Sequence, residues 1–362
     1  VIGLKVLLAS LKFSPGHLSH IIAYAKLFRE MGLDVALWLH EDYKRIVQNI
    51  DFKIQWFPEV SYENFDIVLF CNPSTINHKF AKVLKSKGSK VIYLYHEPWE
   101  SFRQYRKEGI KQALKATSAH FYSVKMLKNS DLVIVPSNYA LNLYKNKDIK
   151  YNENVVMIPL LFDDEQDEEI DITKKQYFSY IGHAVKGHAF DIYIDLIKYI
   201  YKQGIDVKFQ IATRTNLSKL LKKDKILKEM IKKEFLRIAH GRSLPNSEIN
   251  QAYKESFCIW NVYRRSTQSG VLPKAYMFGS PVIASKIGSF PEFINPGKTG
   301  EMITLAIKLD EVMESILKIK RNIKNYSIEA RQFFIRKFYY KAYSSILKIQ
   351  LSEIFLAQNE FQ

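Results

Sequence analysis

The chain has 362 residues, 54 Lys+Arg against 37 Asp+Glu, and a formal charge of +17 at pH 7. That length suits about two domains of roughly 100–200 residues each. At 47% hydrophobic and 25% charged, the composition excludes a disordered or collagen-like chain.

Residues 5–10 read as a strand and 17–31 as a helix with Leu18, Ile21, Ile22, Ala25 and Phe28 on one face, stopped by Gly32. The apolar run 6–9 falls far short of the roughly 18 residues of a membrane span and of a secretory core. Further strands are expected at 34–39, 66–71, 90–95, 131–135 and 155–158, with helices such as 78–87 and 139–144 between them. Strands separated by helices imply βαβ units and a parallel sheet, whose ligands bind at the carboxyl ends of the strands. The composition then turns acidic: Asp163, Asp164, Glu165, Asp167, Glu168, Glu169 and Asp171 read as a solvated linker, 163–175. Strands resume at 177–181, 207–211, 236–239, 258–262 and 281–284, with helices at 189–201, 218–233, 247–253 and 272–278. After Thr304 the pattern is helical. The expected organisation is an α/β domain at 1–162 and a second at 176–330, two parallel-sheet domains facing a cleft. Helices at 331–362 return to the first domain.

Cys71 and Cys258 form no ligand or CxxC spacing and read as free buried thiols in a reducing cytoplasm. The positive charge gathers in two places. Lysines 219, 222, 223, 225, 228, 232 and 233 share one predicted helix, and a second stretch runs Arg103, Arg106, Lys107, Lys111, Lys115, Lys125, Lys128. Solvated helix faces and an anionic membrane surface both account for them. No recognised nucleic-acid module accompanies the charge, so nucleic acid is not an expected partner.

Four places can carry chemistry. The turn after the first strand, residues 14–20, has Pro15 to set it and Gly16 to let a ligand approach the backbone, and it opens a helix whose free N–H groups suit an anion. It lacks the GxGxxG fingerprint of nicotinamide and flavin enzymes. His96 closes the strand ending at Tyr95, where an imidazole can donate to a hydroxyl or to a developing charge; packing on Trp99 is the alternative. The second domain repeats strand, glycine turn and helix at 180–188, with Gly182, His183 and a turn lysine, Lys186, able to neutralise a diphosphate. Gln268, Ser269, Gly270 and Val271 precede a helix and supply N–H donors to phosphate. No Asp-x-Asp, P-loop or GxSxG occurs, so no metal and no cofactor is implied.

Together these residues resemble glycosyltransferase family four, retaining sugar transferases of the GT-B architecture, in its polysaccharide-assembly type. Residues 270–300 (GVLPKAYMFGSPVIASKIGSFPEFINPGKTG) resemble the family's donor block, and 180–187 its glycine-Arg…Lys-Gly segment. The first half agrees through the Pro15-Gly16 turn, His96 and Pro136-Ser137-Asn138. The resemblance implies that Lys186 neutralises the donor diphosphate and that Gln268, Ser269, Gly270 and Val271 hold phosphate and sugar hydroxyls. It places Gly16 near the phosphates and His96 on the transferred sugar. The family has two glutamates eight positions apart where this chain has Ser266 and Lys274, and an arginine where it has His183. Lys274 then pairs with phosphate or faces solvent. The implied activity is transfer from a nucleotide-diphosphate sugar to a glycan or lipid-linked acceptor in bacterial surface polysaccharide assembly, cytoplasmic and peripheral at the inner face of the membrane. The other reading, raised by the missing glutamates, is a non-catalytic subunit that stabilises a partner transferase.

Overall fold

The computed structural model describes residues 3–47, 50–59, 64–106 and 109–356; Lys107 of the basic stretch lies outside them. Two units form, Val1–Asp163 with Phe338–Gln362, and Asp164–Lys337. The first is built on strands β1 (Lys5–Ser10), β2 (Asp34–His40), β3 (Lys53–Phe57), β4 (Ile67–Phe70), β5 (Lys90–Leu94), β6 (Leu132–Val135) and β7 (Val155–Met157). Their order is β3-β2-β1-β4-β5-β6-β7, with every pair parallel. Both faces are covered, so the central strands are continuous apolar runs rather than alternating ones. One face packs Ile21, Tyr24 and Phe28 of the helix Leu18–Glu30 with Leu347 and Leu351 of the helix Ser344–Leu356. The other packs Met126 and Leu127 of the helix Ile110–Leu127 and Ala140 of the helix Asn138–Lys147.

The second unit carries β8 (Tyr177–Ile181), β9 (Lys208–Ala212), β10 (Leu236–Ala239), β11 (Ser256–Asn261), β12 (Val282–Ser285) and β13 (Gly300–Ile303). Their order is β10-β9-β8-β11-β12-β13, again parallel. In each sheet the winding reverses once, between β1 and β4 and between β8 and β11. Ligands of open parallel sheets sit at such switch points. The Gly16 and Gly182 turns follow β1 and β8, so each stands at its sheet's switch point. Two parallel-sheet α/β domains and a helical C-terminus are the expected fold class. Among the described residues no helix is long and apolar enough to cross a membrane.

The structure departs from expectation at four places. β3 and β13 are edge strands the sequence reading leaves out; β3 is only partly buried and so shows no apolar run. The lysine-rich helix is two helices, Ser218–Lys223 and Lys225–Lys232, because Asp224 caps the second through the Ile226 and Leu227 N–H groups, both at 3.1 Å. The acidic stretch is tied down by cations over its first part, while Glu168, Glu169 and Asp171 are exposed as expected of a solvated run. Asp163 pairs with Lys26, Asp164 accepts from Arg331 at 2.8 Å, Glu165 faces Lys274, and Asp167 accepts from Lys254 at 2.8 Å. The helical tail also divides. The helix Ile323–Lys337 stays with the second unit, while Phe338 onward joins the first, with Tyr340 donating to Glu30 at 2.7 Å.

One buried lysine, Lys175, ties the start of β11 to the segment that follows the helix Val271–Met277. The Lys175 ammonium donates to the carbonyls of Phe278 at 2.8 Å and Ser256 at 3.2 Å, and to Ser280 Oγ at 2.9 Å. Burial pushes it down to about 7. Lys175→Met therefore strands buried oxygens and is expected to cost about 3 kcal/mol of unfolding free energy. The folded chain binds fewer protons here than the unfolded one between about pH 7 and the ordinary lysine value. Wild-type stability thus rises with pH in that window by up to about 1.4 kcal/mol per unit, a gain the variant lacks. Denaturant melts at pH 7.5 and 9.5 should show the gap widening.

Candidate functional site

In the first unit the loop after β1 is pinned from both sides. Tyr43 Oη accepts from Ser14 N at 3.1 Å and donates to Ser14 O at 2.9 Å, and Asn72 Nδ2 donates to Lys12 O at 2.7 Å. Gly16 follows in the turn Pro15–His17, and a Cβ there would meet nothing within 4 Å, leaving the backbone open to approach. His17 and His20 come next, and the sheet order carries His96, after β5, to the same place. The His17 and His96 rings are 4.6 Å apart, and His20 is 6.2 Å from His17 and 6.3 Å from His96.

His96 is buried, and its Nε2 lies 2.7 Å from the Cys71 carbonyl, which can only accept. The proton is therefore on Nε2 and the lone pair on Nδ1. Burial pushes this imidazole down to about 4 and lowers His17 well below its usual value, with His96 and His20 adding to the effect on His17. At neutral pH, His17 and His96 thus carry no charge. A neutral imidazole with a fixed tautomer reads hydroxyl groups; it does not attract phosphate. With its one proton taken up by the Cys71 carbonyl, His96 can accept but not donate at Nδ1, whereas the sequence reading has it donate. Trp99, the alternative partner, is stacked between Tyr105 and His120, each ring 4.9 Å away.

In the second unit β8 runs into Gly182, whose φ of +129° favours glycine and whose would-be Cβ lies 3.7 Å from Val271 Cγ2. Gly182 and Val271, 89 positions apart in sequence, thus meet. His183 is exposed; partial burial and the nearby Arg214 lower its titration. Lys186 opens the short turn Lys186–His188 with its side chain exposed. That turn is fastened to the end of β11. The His188 ring stacks on Tyr263 at 4.2 Å, and Arg264 N donates to Gly187 O at 2.8 Å.

The 266–271 segment is equally constrained. Ser269 Oγ donates to Asn261 Oδ1 at 2.9 Å and accepts from Leu272 N at 3.4 Å, joining the end of β11 to the start of the helix Val271–Met277. Gln268 Oε1 is buried, and Gly270 is exposed at the N-cap. Ser266 is buried, with Oγ donating to Gln268 O at 3.0 Å and its carbonyl against Gly288. Ser266 thus holds the loop together. The Gly182 turn with the exposed Lys186 and the Gly270 N-cap next to Val271 offer backbone N–H groups and a cation, chemistry suited to a diphosphate.

Lys274 stands apart from this group. It is buried rather than solvent-facing, and its ammonium is taken up by Asn246 Oδ1 at 2.7 Å and Glu165 Oε2 at 3.4 Å. Glu165 also accepts from Asn246 at 2.6 Å and Asn250 at 2.8 Å. A carboxylate therefore still stands beside this helix, supplied by the acidic stretch. Sequence reasoning missed Glu165, His17 and His20. The two histidines sit inside the quoted 14–20 turn, while Glu165 looked like one linker acid among seven.

Residues 8–166 match the model of Glycosyltransferase Family 4, and residues 175–322 match that of Glycosyl transferases group 1. No curated protein matches by sequence. Among solved structures, Anabaena HepE in complex with UDP-glucose is 15% identical, with 97% of this chain and 100% of that one covered at a TM-score of 0.65. Sucrose-phosphate synthase from Thermosynechococcus elongatus is 12% identical, covering 98% and 100%, TM-score 0.70. The pneumococcal O-GlcNAc transferase GtfA in complex with UDP and GlcNAc is 12% identical, covering 98% and 99%, TM-score 0.69. At these identities the likeness to solved structures establishes the fold.

Proposed function

This chain is a glycosyltransferase of the family-four type with the GT-B fold, and from that premise we propose that it moves a sugar from a nucleotide-diphosphate donor to a glycan or lipid-linked acceptor with retention at the anomeric carbon. The observation that carries the donor site is the meeting of Gly182 with Val271 at the switch point of the second sheet, with Lys186 four residues after Gly182 and Ser269 two residues before Val271. Lys186 neutralises the diphosphate, His183 flanks it, and Gln268, Ser269, Gly270 and Val271 offer oxygen and N–H partners to phosphate and sugar. Gly16 lies near the phosphates, and His96 accepts a hydroxyl of the transferred sugar. The anomeric C–O bond to phosphate breaks as the acceptor oxygen bonds on the same face, and the acceptor's proton passes to the leaving diphosphate. The chain's task is to hold charge growing on that leaving group with a lysine and fixed dipoles. No metal is assigned to this step, so transfer is expected to persist in excess EDTA.

The structures of HepE and GtfA with UDP make uridine diphosphate the first nucleotide to try. Calorimetry against UDP, GDP, CDP and dTDP is expected to single out one, and Lys186→Ala to weaken it about tenfold or more, the scale of one charge-assisted contact. Unchanged affinity in that variant removes the diphosphate role. Gly16→Ala meets no atom in the folded chain, so its melting temperature should equal wild type; a raised donor KM then reports the ligand's approach. A second reading is favoured by Ser266 and Lys274, both buried in structural roles. If no nucleotide binds, the chain is a non-catalytic subunit steadying a partner transferase. We place the acceptor in bacterial surface polysaccharide assembly and the protein at the inner, anionic face of the membrane, without nucleic acid.

A further inference from the structure

Five large apolar side chains among the described residues are more than half exposed, and three of them belong to one helix. On Ile110–Leu127 these are Ile110, Leu114 and Phe121, at 55, 59 and 57% exposure. At about 100° per residue they fall within roughly 40° of one another, a single stripe some 16 Å long. The opposite face, through Ala113, Ser123 and Met126, is buried. Phe102, on the preceding helix Phe102–Arg106 packed against this one, is exposed as well. Scattered apolar side chains need no explanation, but a contiguous stripe does.

The charges around it choose the partner. From Phe102 to Lys128 the sequence carries seven Lys and Arg and a single acid, Glu108. Lys125 continues the stripe by one turn, its Nζ 4.3 Å from the centre of the Phe121 ring, and Lys128 is exposed beyond it. Lys111 and Lys115, both exposed, flank one side. Apolar side chains within a collar of long cations match a bilayer with anionic headgroups, the apolar groups seeking the acyl boundary and the lysine stems reaching back to the phosphates.

We propose that the outer face of the helix Ile110–Leu127, with Phe102 beside it, is the surface by which the protein docks on an anionic lipid bilayer. This rests on the reading above that the acceptor is held at a membrane, and it says where the membrane lies. The inner face of the same helix carries His120, stacked on Trp99, three residues after His96. Docking therefore sets the His96 loop one side chain away from the lipid-bound helix, which suits a lipid-linked acceptor better than a free glycan.

The test is co-sedimentation of the full chain with phosphatidylcholine vesicles, with and without about a third phosphatidylglycerol, at low and high salt. Wild type is expected to bind the anionic vesicles at low salt and to release at high salt. The triple variant Ile110→Ser, Leu114→Ser, Phe121→Ser should lose about tenfold or more in partitioning. Changing Lys219, Lys222 and Lys228 of the other basic region to Gln should leave it within twofold. Nucleotide affinity measured on the same samples certifies that each variant is folded. If the lysine variant loses binding and the stripe variant keeps it, the membrane reading stands and this docking surface is overturned. If wild type binds no anionic vesicle at low salt, both fall. A dimer that the stripe variant dissolves, without vesicle binding, assigns the stripe to a second copy and also overturns the proposal.

Discussion

Gly288→Ala is expected to cut sugar transfer by about a hundredfold or more and to lower the melting temperature by several degrees. Gly288 has a φ of +53°, and a Cβ built there falls 1.7 Å from the Ser266 carbonyl oxygen. The left-handed conformation alone costs a side-chain-bearing residue about 1–2 kcal/mol. The clash is worse, since the neighbour is backbone and cannot rotate aside. Ser266 must retreat by more than an ångström, and the loop it anchors carries Gln268 and Ser269 with it through the Ser266–Gln268 contact at 3.0 Å. Displacements of that size cost about two orders of magnitude when they misplace groups facing a reacting centre. Steady-state kinetics, with circular dichroism to verify folding, decide the matter. Activity within twofold of wild type would mean that the 266–269 loop does not touch the donor.

His96→Ala is expected to lower turnover by about ten- to a thousandfold, with donor affinity changed far less. The hydrogen bond from Nε2 to the Cys71 carbonyl fixes the tautomer and leaves Nδ1 as the acceptor, so the replacement matters as much as the deletion. His96→Gln, which keeps an acceptor, should recover part of the loss. The titration adds an independent signature. Because burial brings this imidazole down to about 4, the folded chain holds fewer protons than the unfolded one between about pH 6.5 and 4. Stability is therefore lost as pH falls through that window, by about 3 kcal/mol at its lower end, and both variants should show a shallower decline. Full turnover in His96→Ala removes the proposed sugar contact.

The parts of the fold that could be read from sequence are those dictated by local physics. β1, β4, β5 and β6 are buried on both faces, and their composition leaves no other reading. β3 was illegible because an edge strand with half-buried side chains carries no periodic mark, and the break at Asp224 was hidden because a capping side chain looks like any surface acid until its turn is seen. The same divide runs through the site. The Gly182 and Ser269-Gly270 turns announce themselves as backbone motifs. That Val271 comes to rest on Gly182, or that His17 stands beside His96, depends on strand order and on pairings between distant segments. Lys274 shows the limit most plainly. Its position in the donor block suggested phosphate or solvent, but the decisive partner, Glu165, lies 109 residues earlier in a stretch whose composition argued for a linker.

The first unit is assembled from both ends of the described chain, with Asp164–Lys337 inserted as one uninterrupted stretch. During synthesis the second unit can close as soon as it leaves the ribosome. The first completes this face of its core only when the helix Ser344–Leu356 adds Leu347 and Leu351 to Ile21, Tyr24, Phe28 and the sheet residues beneath them. At about 5–20 residues per second that interval is roughly 10–40 s, during which the apolar surface that Leu347 and Leu351 will cover is available to chaperones and to neighbouring nascent chains.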